Sequence, residues 1–469
     1  MKKNIYIIFI ALISILILNS SCKKIKGFSK GNLTFSIDTL VFDTVFTTIG
    51  STTQLFKIYN EDSKTVTIDQ IELMGGTDSP FRINIDGIPG KLFSSVKLEG
   101  KDSLFAFVEV TLKVNNQTNP MVIKDSIRFR TNGKDQYLQL RVWGQDMYYH
   151  YSRLTEGNQL LDLNEGIWPN DKPHLIYGAA FIDEGKTLSI QAGTKVYFHK
   201  NALLYNYKGT LNVNGALNNE VIFQGDRLES DYEDVSGQFY GIYLDHALPS
   251  SINYAIIKNG TTGIHLFENN TSNTNQYTLR LTNTKIFNNT NNGVLIYSGA
   301  SVYADNCVIS KNGGFGLLVL LSGDFNINHC NILGYNSSSK NQAVGITNHF
   351  IIDNQMHVGS IHQGIIRNSV IYGNQTSEIA FDTIGNTPGV TLNFDIQRCL
   401  IKKEIVGTDS YYTNGNLWNI DPLFNNITNN KYTFTNSSPL NGSADILYPT
   451  LSGLTIEGIT VSPPNIGAY

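Results

Sequence analysis

Asp245 and His265 are the best acid/base pair in this sequence. They lie in the runs GIYLD (241–245) and GIHLF (263–267). A carboxylate and an imidazole on neighbouring repeats can pass a proton to or from a bound molecule. The plainer reading is a solvent-facing histidine with a casual neighbour. A second cluster, Asp226, Glu229, Asp231, Glu233 and Asp234, could bind Ca²⁺, but it lacks the spacing of a calcium loop and reads more simply as a solvated charged loop. Cys307, Cys330 and Cys399 have no His or Asp partners at metal-ligand or nucleophile spacing. His329, beside Cys330, alternates to the opposite face. His362, Gln363 and Arg367 have no evident partner in the sequence. No metal site is expected, and Ca²⁺ is the one cofactor that enters at all.

The segments that must position these residues repeat. NYAII (253–257), NTKIF (283–287), NCVIS (306–310), HCNIL (329–333), NSVIY (368–372) and RCLIK (398–402) align, with steps of 30, 23, 23, 39 and 30 between their second residues. Two equal steps of 23 set a coil length, and longer steps are coils with inserted loops, the pattern of a solenoid. Asn259, Asn289, Asn312 and Asn374 each lie five places after the aligned residue. Stacked asparagines at a corner can exchange amide hydrogen bonds and tolerate left-handed backbone. Tyr254, Thr284, Cys307, Cys330, Ser369 and Cys399 then share one inward column. Adjacent coils place Cys307 near Cys330 at about 4.8 Å, but their side chains run parallel and are poorly aimed for a disulfide. Free, buried, inert thiols are the expectation.

Strands follow the corner glycines: GIYLD (241–245), GIHLF (263–267), GVLIY (293–297), GLLVL (316–320) and GITNH (345–349). Alternation points Tyr243, Asp245, His265, Phe267, Leu295, Tyr297, Leu318, Leu320, Thr347 and His349 outward. This column is apolar and aromatic for a solvent face. It fits a carbohydrate platform, a docking face for the N-terminal region or a partner, or a strip covered by a loop such as 337–344. Its one carboxylate is Asp245, and it holds no Lys or Arg. Glycoside hydrolysis needs two carboxyl groups about 5 to 9.5 Å apart.

Upstream, residues 33–38, 40–46, 53–60, 65–73, 103–114, 126–131 and 138–144 read as seven short strands, with almost no helical periodicity, which predicts a β-sandwich. The chain is 469 residues long with a net charge of −4, four Cys and 16% charged residues. That composition excludes collagen, coiled-coil, disulfide-scaffold and polytopic membrane classes, and it offers no electrostatic footprint for nucleic acid.

Three resemblances refine this reading. Lys2 and Lys3, the apolar run from Ile5 to Leu18, and Ser20-Ser21 before Cys22 resemble a bacterial lipoprotein signal, with Asn19 in place of the usual Leu. This implies lipidation of Cys22, attachment to a membrane and an outer-membrane address, facing either periplasm or surface. The order Asp43 to Phe46, Gly50-Ser51, Asn60, Pro80-Phe81-Arg82-Ile83 and Val142-Trp143-Gly144 resembles immunoglobulin-like sandwiches of the abnormal-spindle/hydin type, which bacteria use as spacers and for protein contacts. Thr187 to Ile190, Ala192-Gly193-Thr194, Val196 to Phe198 and Gly209 to Val213, with the closing Asp421-Pro422, Ser438-Pro439-Leu440 and Ile466 to Tyr469, resemble right-handed parallel β-helix proteins of the pectate-lyase-like superfamily, and residues 223–244, with Phe239-Tyr240 where a Trp is usual, resemble a segment of Bacteroidota lipoproteins of this architecture. Polyuronate lyases of that superfamily use an Arg or Lys base beside acidic calcium ligands, which the outward column lacks, and the polygalacturonase motifs are not found.

The expectation is therefore an all-β chain: signal peptide 1–21, lipidated tether 22–31, sandwich 32–146, connector 147–174 and right-handed parallel β-helix 175–469. Its function reads as a non-catalytic, lipid-anchored envelope protein that binds glycan or another envelope protein. A polysaccharide lyase or hydrolase, and a structural or adhesion component, are the alternatives.

Overall fold

A computed structural model of the chain describes residues 31–114, 121–155, 158–268, 276–336, 340–404 and 410–469. The signal segment, Cys22 and residues 337–339 of the loop considered above lie outside the described residues. The chain divides into two compact units, Met1–Asp146 and Met147–Tyr469.

The first unit is a sandwich of two five-stranded sheets. Alternating residues from both sheets meet in its core. Phe56 and Phe129 pack edge to face with centroids 6.4 Å apart, and Phe42 meets Phe81 at 5.9 Å. All seven expected strand regions carry strands, and three further strands appear at Phe81–Ile85, Ile88–Gly90 and Leu92–Leu98. The last of these has no clean alternation because Ser95 sits at φ +58°, which turns the following side chains out of phase. Buried Asn60 ties a corner, donating to the carbonyls of Lys64, Leu98 and Glu99 at 2.8 to 3.1 Å. A Cβ at Gly144 would lie 2.4 Å from Leu112 Cδ1, so a side chain there would displace that buried methyl.

The second unit is a parallel β-helix. Its three sheets, called A, B and C here, contain nine, eleven and nine strands. Sheet A runs from Gly166–Trp168 to Leu392–Gln397, sheet B from Tyr148–Tyr151 to Leu417–Trp418, and sheet C from Asp162–Leu163 to Ile379–Asp382. A coil visits them in turn, as in Thr187–Gln191, Lys195–Phe198 and Leu203–Tyr207. Inward residues stack in register into one apolar column per position. Leu204, Ile242, Ile264, Val294, Leu317 and Val344 form one in sheet C, all buried. No described helix is long and apolar enough to cross a membrane.

The strand register corrects two expectations. Ala255, not Tyr254, is level with Thr284, Cys307, Cys330, Ser369 and Cys399, because Ile256 pairs with Lys285. Tyr254 instead takes the left-handed corner of Asn283, Asn306, His329, Asn368 and Arg398, with φ between 46° and 56°. A slip of one residue moves a side chain to the other face, so the column is inward only from Ala255. The same slip splits the asparagine column. Asn259 accepts from Asn288 at 2.8 Å, while Asn289 donates to Asn312 at 2.9 Å. A further ladder runs from Asn306 to Asn283 and from Asn283 to Asn253 at 2.7 and 2.8 Å.

The segment read as a connector, 147–174, forms the first coil. Tyr148–Tyr151 pairs in parallel with His174–Tyr177. Trp168 stacks on His150 and His174 with centroids at 4.1 and 4.5 Å. His150 Nε2 meets His174 Nδ1 at 2.9 Å, and His174 Nε2 donates to the Pro169 carbonyl at 2.9 Å.

At the other end the chain folds back over the outside of sheet B. Ile466, Ala468 and Tyr469 are buried there with Val308, Leu333, Val370 and Leu400.

Cys307, Cys330 and Cys399 are free and buried. Each thiol donates to the carbonyl two residues back, at 3.2 to 3.3 Å. Burial raises Cys330 well above the usual thiol range and Cys399 to about 12. Because all three are buried, they should resist a thiol reagent in the native protein and react after unfolding. Labelling of any one at native rates, located by peptide mass mapping, would show that the inner column opens.

Candidate functional site

The outer surface of sheet C is where the chemistry gathers. Strand pairing places Phe181, Tyr205, Tyr243, His265, Leu295 and Leu318 in one outward column. A second column holds Tyr207, Asp245, Phe267, Tyr297 and Leu320. The alternation expected for residues 243 to 320 is the alternation observed, with inward residues buried and outward ones half-buried. The last strand differs. Gly345 is level with Leu318, so Thr347 continues the second column, and His349 leaves the sheet to start a hairpin with Gln355–Val358. His349 stays near Thr347, its Nδ1 lying 3.4 Å from the threonine hydroxyl.

The rings form two runs on this face, one from Phe181 to His265 and one through Phe267 and Tyr297. Tyr243 and His265 stack with centroids 4.4 Å apart and 18° between planes. Tyr205 packs edge-on to Tyr243 at 5.1 Å, Phe181 to Tyr205 at 5.5 Å, and Phe267 lies 5.3 Å from Tyr297. Exposed Tyr240 adds a hydroxyl 3.2 Å from His265 Nδ1.

A polar row crosses this face. The Tyr205 hydroxyl donates to Asp245 Oδ2. Asp245 Oδ1 lies 2.6 Å from His246 Nδ1, and His246 Nε2 lies 2.6 Å from Glu268 Oε2. Ser298 Oγ donates to Glu268 Oε1 at 3.4 Å. Both ring nitrogens of His246 thus face carboxylates, which suits the doubly protonated ring. The hydrogen bond that its Nδ1 donates to Asp245, with Glu268 opposite, raises the His246 pKa against the opposing effect of burial. His265 behaves in the opposite way: burial lowers it to about 4, so it is a neutral ring at pH 7. Its Nε2 is buried without a partner among the described residues. Burial, with Asp245 nearby, pushes Tyr243 up to about 12, and the Tyr205 and Tyr240 hydroxyls are raised too, so all three remain donors.

Sequence reasoning paired Asp245 with His265, but the imidazole bonded to Asp245 is that of His246. Both His246 and Glu268 fell outside the predicted column for one reason. They occupy the corner after the strand at φ +48° and +53°, where period-two alternation ends. The signal that could have found them is the repeat itself, since each directly follows an outward residue at the same coil position, Asp245 or Phe267.

The acidic cluster does not converge. Asp226 meets His199 at 2.7 Å, Glu229 meets Arg227 at 3.1 Å, and Glu233 and Asp234 offer backbone carbonyls to Asn259 and Asn288. Among the described residues no group of three or more His, Cys, Asp or Glu is placed to hold a metal. Arg367 does have a partner, Asp395 at 2.6 Å, and Gln363 accepts from the Tyr277 hydroxyl at 2.7 Å.

No protein-family model matches the chain, and no curated protein matches it. Among solved structures, the catalytic unit of a thermostable GH87 alpha-1,3-glucanase from Streptomyces thermodiastaticus is similar at 10% identity, covering 74% of each chain with a TM-score of 0.31. The Agl-KA catalytic domain is similar at 11% identity over 74% of this chain and 79% of that one, with a TM-score of 0.27. A family 123 glycoside hydrolase from Clostridium perfringens matches at 10% identity and a TM-score of 0.18, covering 24% of this chain and 26% of that one, so this chain spans about a quarter of its length. Overlaps this weak say nothing about activity; the strand pairing shows an all-β chain, a sandwich followed by a parallel β-helix.

Proposed function

We propose that the β-helix is a non-catalytic glycan-binding platform carried by a lipid-anchored protein of the cell envelope. One observation carries this reading: the outer face of sheet C joins two runs of aromatic rings to the hydrogen-bonded row Tyr205–Asp245–His246–Glu268–Ser298. Sugar rings offer flat C–H faces to aromatic side chains and hydroxyls to carboxylates and phenols, and this face supplies both. Asp245 and Glu268 each direct an oxygen to the single imidazole between them, which favours holding a ligand over donating a proton to it. The anchor rests on Cys22 behind a basic start and an apolar run. The sandwich serves as an immunoglobulin-like spacer.

The test incubates the purified protein with neutral and acidic polysaccharides, with and without Ca²⁺, and follows both by size-exclusion chromatography. Protein should co-elute with at least one intact glycan. Tyr243→Ala should weaken that binding about tenfold or more, as loss of a central aromatic anchor does, with the thermal midpoint retained. Absence of binding across the panel would overturn the glycan reading in favour of a protein partner. The carboxylate pair Asp245 and Glu268 gives the hydrolase alternative its one structural support, because glycosidases use two such groups. A glycan peak shifting to smaller size would establish that alternative.

A further inference from the structure

The outer face of sheet A differs in chemistry from that of sheet C. Strand pairing lines up Arg280, Tyr303 and Asn326 in one outward column, and Asp305, Asn328 and Arg367 in the next. The outward columns of sheet C described above hold no Lys or Arg, whereas these hold two arginines. Between this face and the C-terminal segment 447–451 lies a cavity of about 380 Å³, walled on the sheet side by Tyr303, Asn326, Asn328 and Arg367. Hydrogen bonds pin the segment in place. Leu451 N donates to buried Asp305 Oδ2 at 2.8 Å, buried Asn328 Nδ2 to the Pro449 carbonyl at 3.2 Å, and buried Asn368 Nδ2 to the Tyr448 carbonyl at 3.0 Å.

The carboxylates beside the cavity are engaged. Asp305 accepts from Leu451 N and from Asn328 Nδ2, both at 2.8 Å, and Asp395 accepts from Arg367, Thr413 and Gln397 at 2.6 to 3.2 Å. The donors are not. Arg367 makes one hydrogen bond among the described residues, from Nη2 to Asp395, and its Nε is buried without a partner there. Its guanidinium lies over the Tyr448 ring at 4.2 Å, and that of Arg280 over the Tyr303 ring at 4.5 Å. A guanidinium held on a ring keeps its edge N–H groups for a planar acceptor. The Tyr303 hydroxyl has no partner among the described residues, and burial raises its pKa, so it is a donor at neutral pH. Asn326 reaches the Tyr277 hydroxyl through Nδ2 at 3.4 Å and keeps its Oδ1 for a hydroxyl. Open donors beside spent carboxylates call for a ligand rich in acceptor oxygens.

We propose that this cavity is a second ligand site and that it takes a small hydroxylated carboxylate. The ligand carboxylate accepts from Arg367 and from the Tyr303 hydroxyl, and a ligand hydroxyl donates to Asn326 Oδ1. Asp305 and Asp395 balance Arg280 and Arg367, so the site has no excess charge to hold a multiply charged anion. Its volume is at the small end of ligand pockets, which suits one sugar-sized molecule. The site lies on a different sheet from the aromatic face and stands or falls apart from the glycan-binding reading.

The test titrates the purified protein with glucuronate, glucose and inorganic phosphate, followed by ligand-detected NMR. Glucuronate and glucose share a ring and differ in the carboxylate. A hydrogen bond to a charged group is worth about tenfold or more in affinity, so glucuronate should bind at least about tenfold more tightly than glucose. Arg367→Gln should weaken glucuronate binding about tenfold or more. Arg367→Lys keeps the charge without the planar fork and should restore part of the loss. Tyr303→Phe keeps the ring under Arg280 and removes only the hydroxyl, so binding should weaken about threefold or more with the thermal midpoint retained. Absence of glucuronate binding, or binding unchanged in either Arg367→Gln or Tyr303→Phe, overturns the inference. Glucose binding as tightly as glucuronate overturns it in favour of a neutral-sugar site. Phosphate binding as tightly as glucuronate overturns it in favour of a general oxyanion site.

Discussion

A chain ending at Asn465 should lose about 3 to 6 kcal/mol of solenoid stability. Each large side chain removed from a buried site costs about 1.5 to 3 kcal/mol, and two are removed here, Ile466 and Tyr469. The loss reaches further than those two residues. Ile466 N donates to the Leu440 carbonyl at 3.0 Å, Gly467 N to the Asn368 carbonyl at 2.7 Å, and Ala468 N to Asn331 Oδ1 at 3.1 Å. Removing them uncovers Val370 and leaves buried Asn331 without that donor. Urea unfolding followed by Trp168 and Trp418 reports the solenoid, while Trp143 reports the sandwich. The solenoid midpoint should fall and the sandwich midpoint should hold. An unchanged solenoid midpoint would show that the terminal strap is not structural. Leu447→Ser, at an exposed site, is the control and should change stability by about 0.5 kcal/mol or less.

Acid should loosen the first coil, and His174 should set much of that response. Burial lowers its pKa from 6.5 to about 4 in the folded chain. Its Nε2 donates to Pro169, so its Nδ1 must accept from His150, and a second proton has no place between the rings. His150 Nδ1 faces Asp162 at 3.3 Å, Tyr148 packs on the His174 ring at 4.9 Å, and Asp171 partly favours the charged form. The folded pKa lies below the unfolded one. The stabilisation is therefore complete above about pH 6.5 and is lost as pH falls towards 4, with a size of about 3 kcal/mol. Asp226, Asp305 and Glu378 act in the opposite sense. Burial raises each of them, so their contribution is present at low pH and is lost as pH rises through the folded value. The difference between wild type and His174→Asn isolates the histidine: between pH 6.5 and 4 the variant should lose about 3 kcal/mol less. Parallel pH profiles for the two proteins would refute this account.

The repeat made the solenoid legible. Inward residues must be apolar in every coil, so Ile286, Ile309, Ile332, Ile371 and Ile401 mark one column by chemistry alone, whereas its first member is Ile257 and not the aligned Ile256. Outward residues from Tyr243 to Leu320 followed from the same period of two. Strand alternation also exposed most of the sandwich, and three buried free cysteines followed from one repeated position. These features depend on local sequence, because the pleat fixes which way each side chain points.

What the sequence hid lies where alternation stops or distant segments meet. At left-handed corners the next side chain is rotated out of phase, which concealed His246 and Glu268 and put Tyr254 one place out of register. The first coil was hidden because its strands are short and its stack joins His150, Trp168 and His174 across a loop. The hairpin interrupts a strand that the sequence carried on to His349. The sequence by itself determined which residues face in and which face out. Only the tertiary structure decided which outward residues touch, because packing successive coils side by side brings Asp245, His246 and Glu268 together across a separation that no local pattern measures.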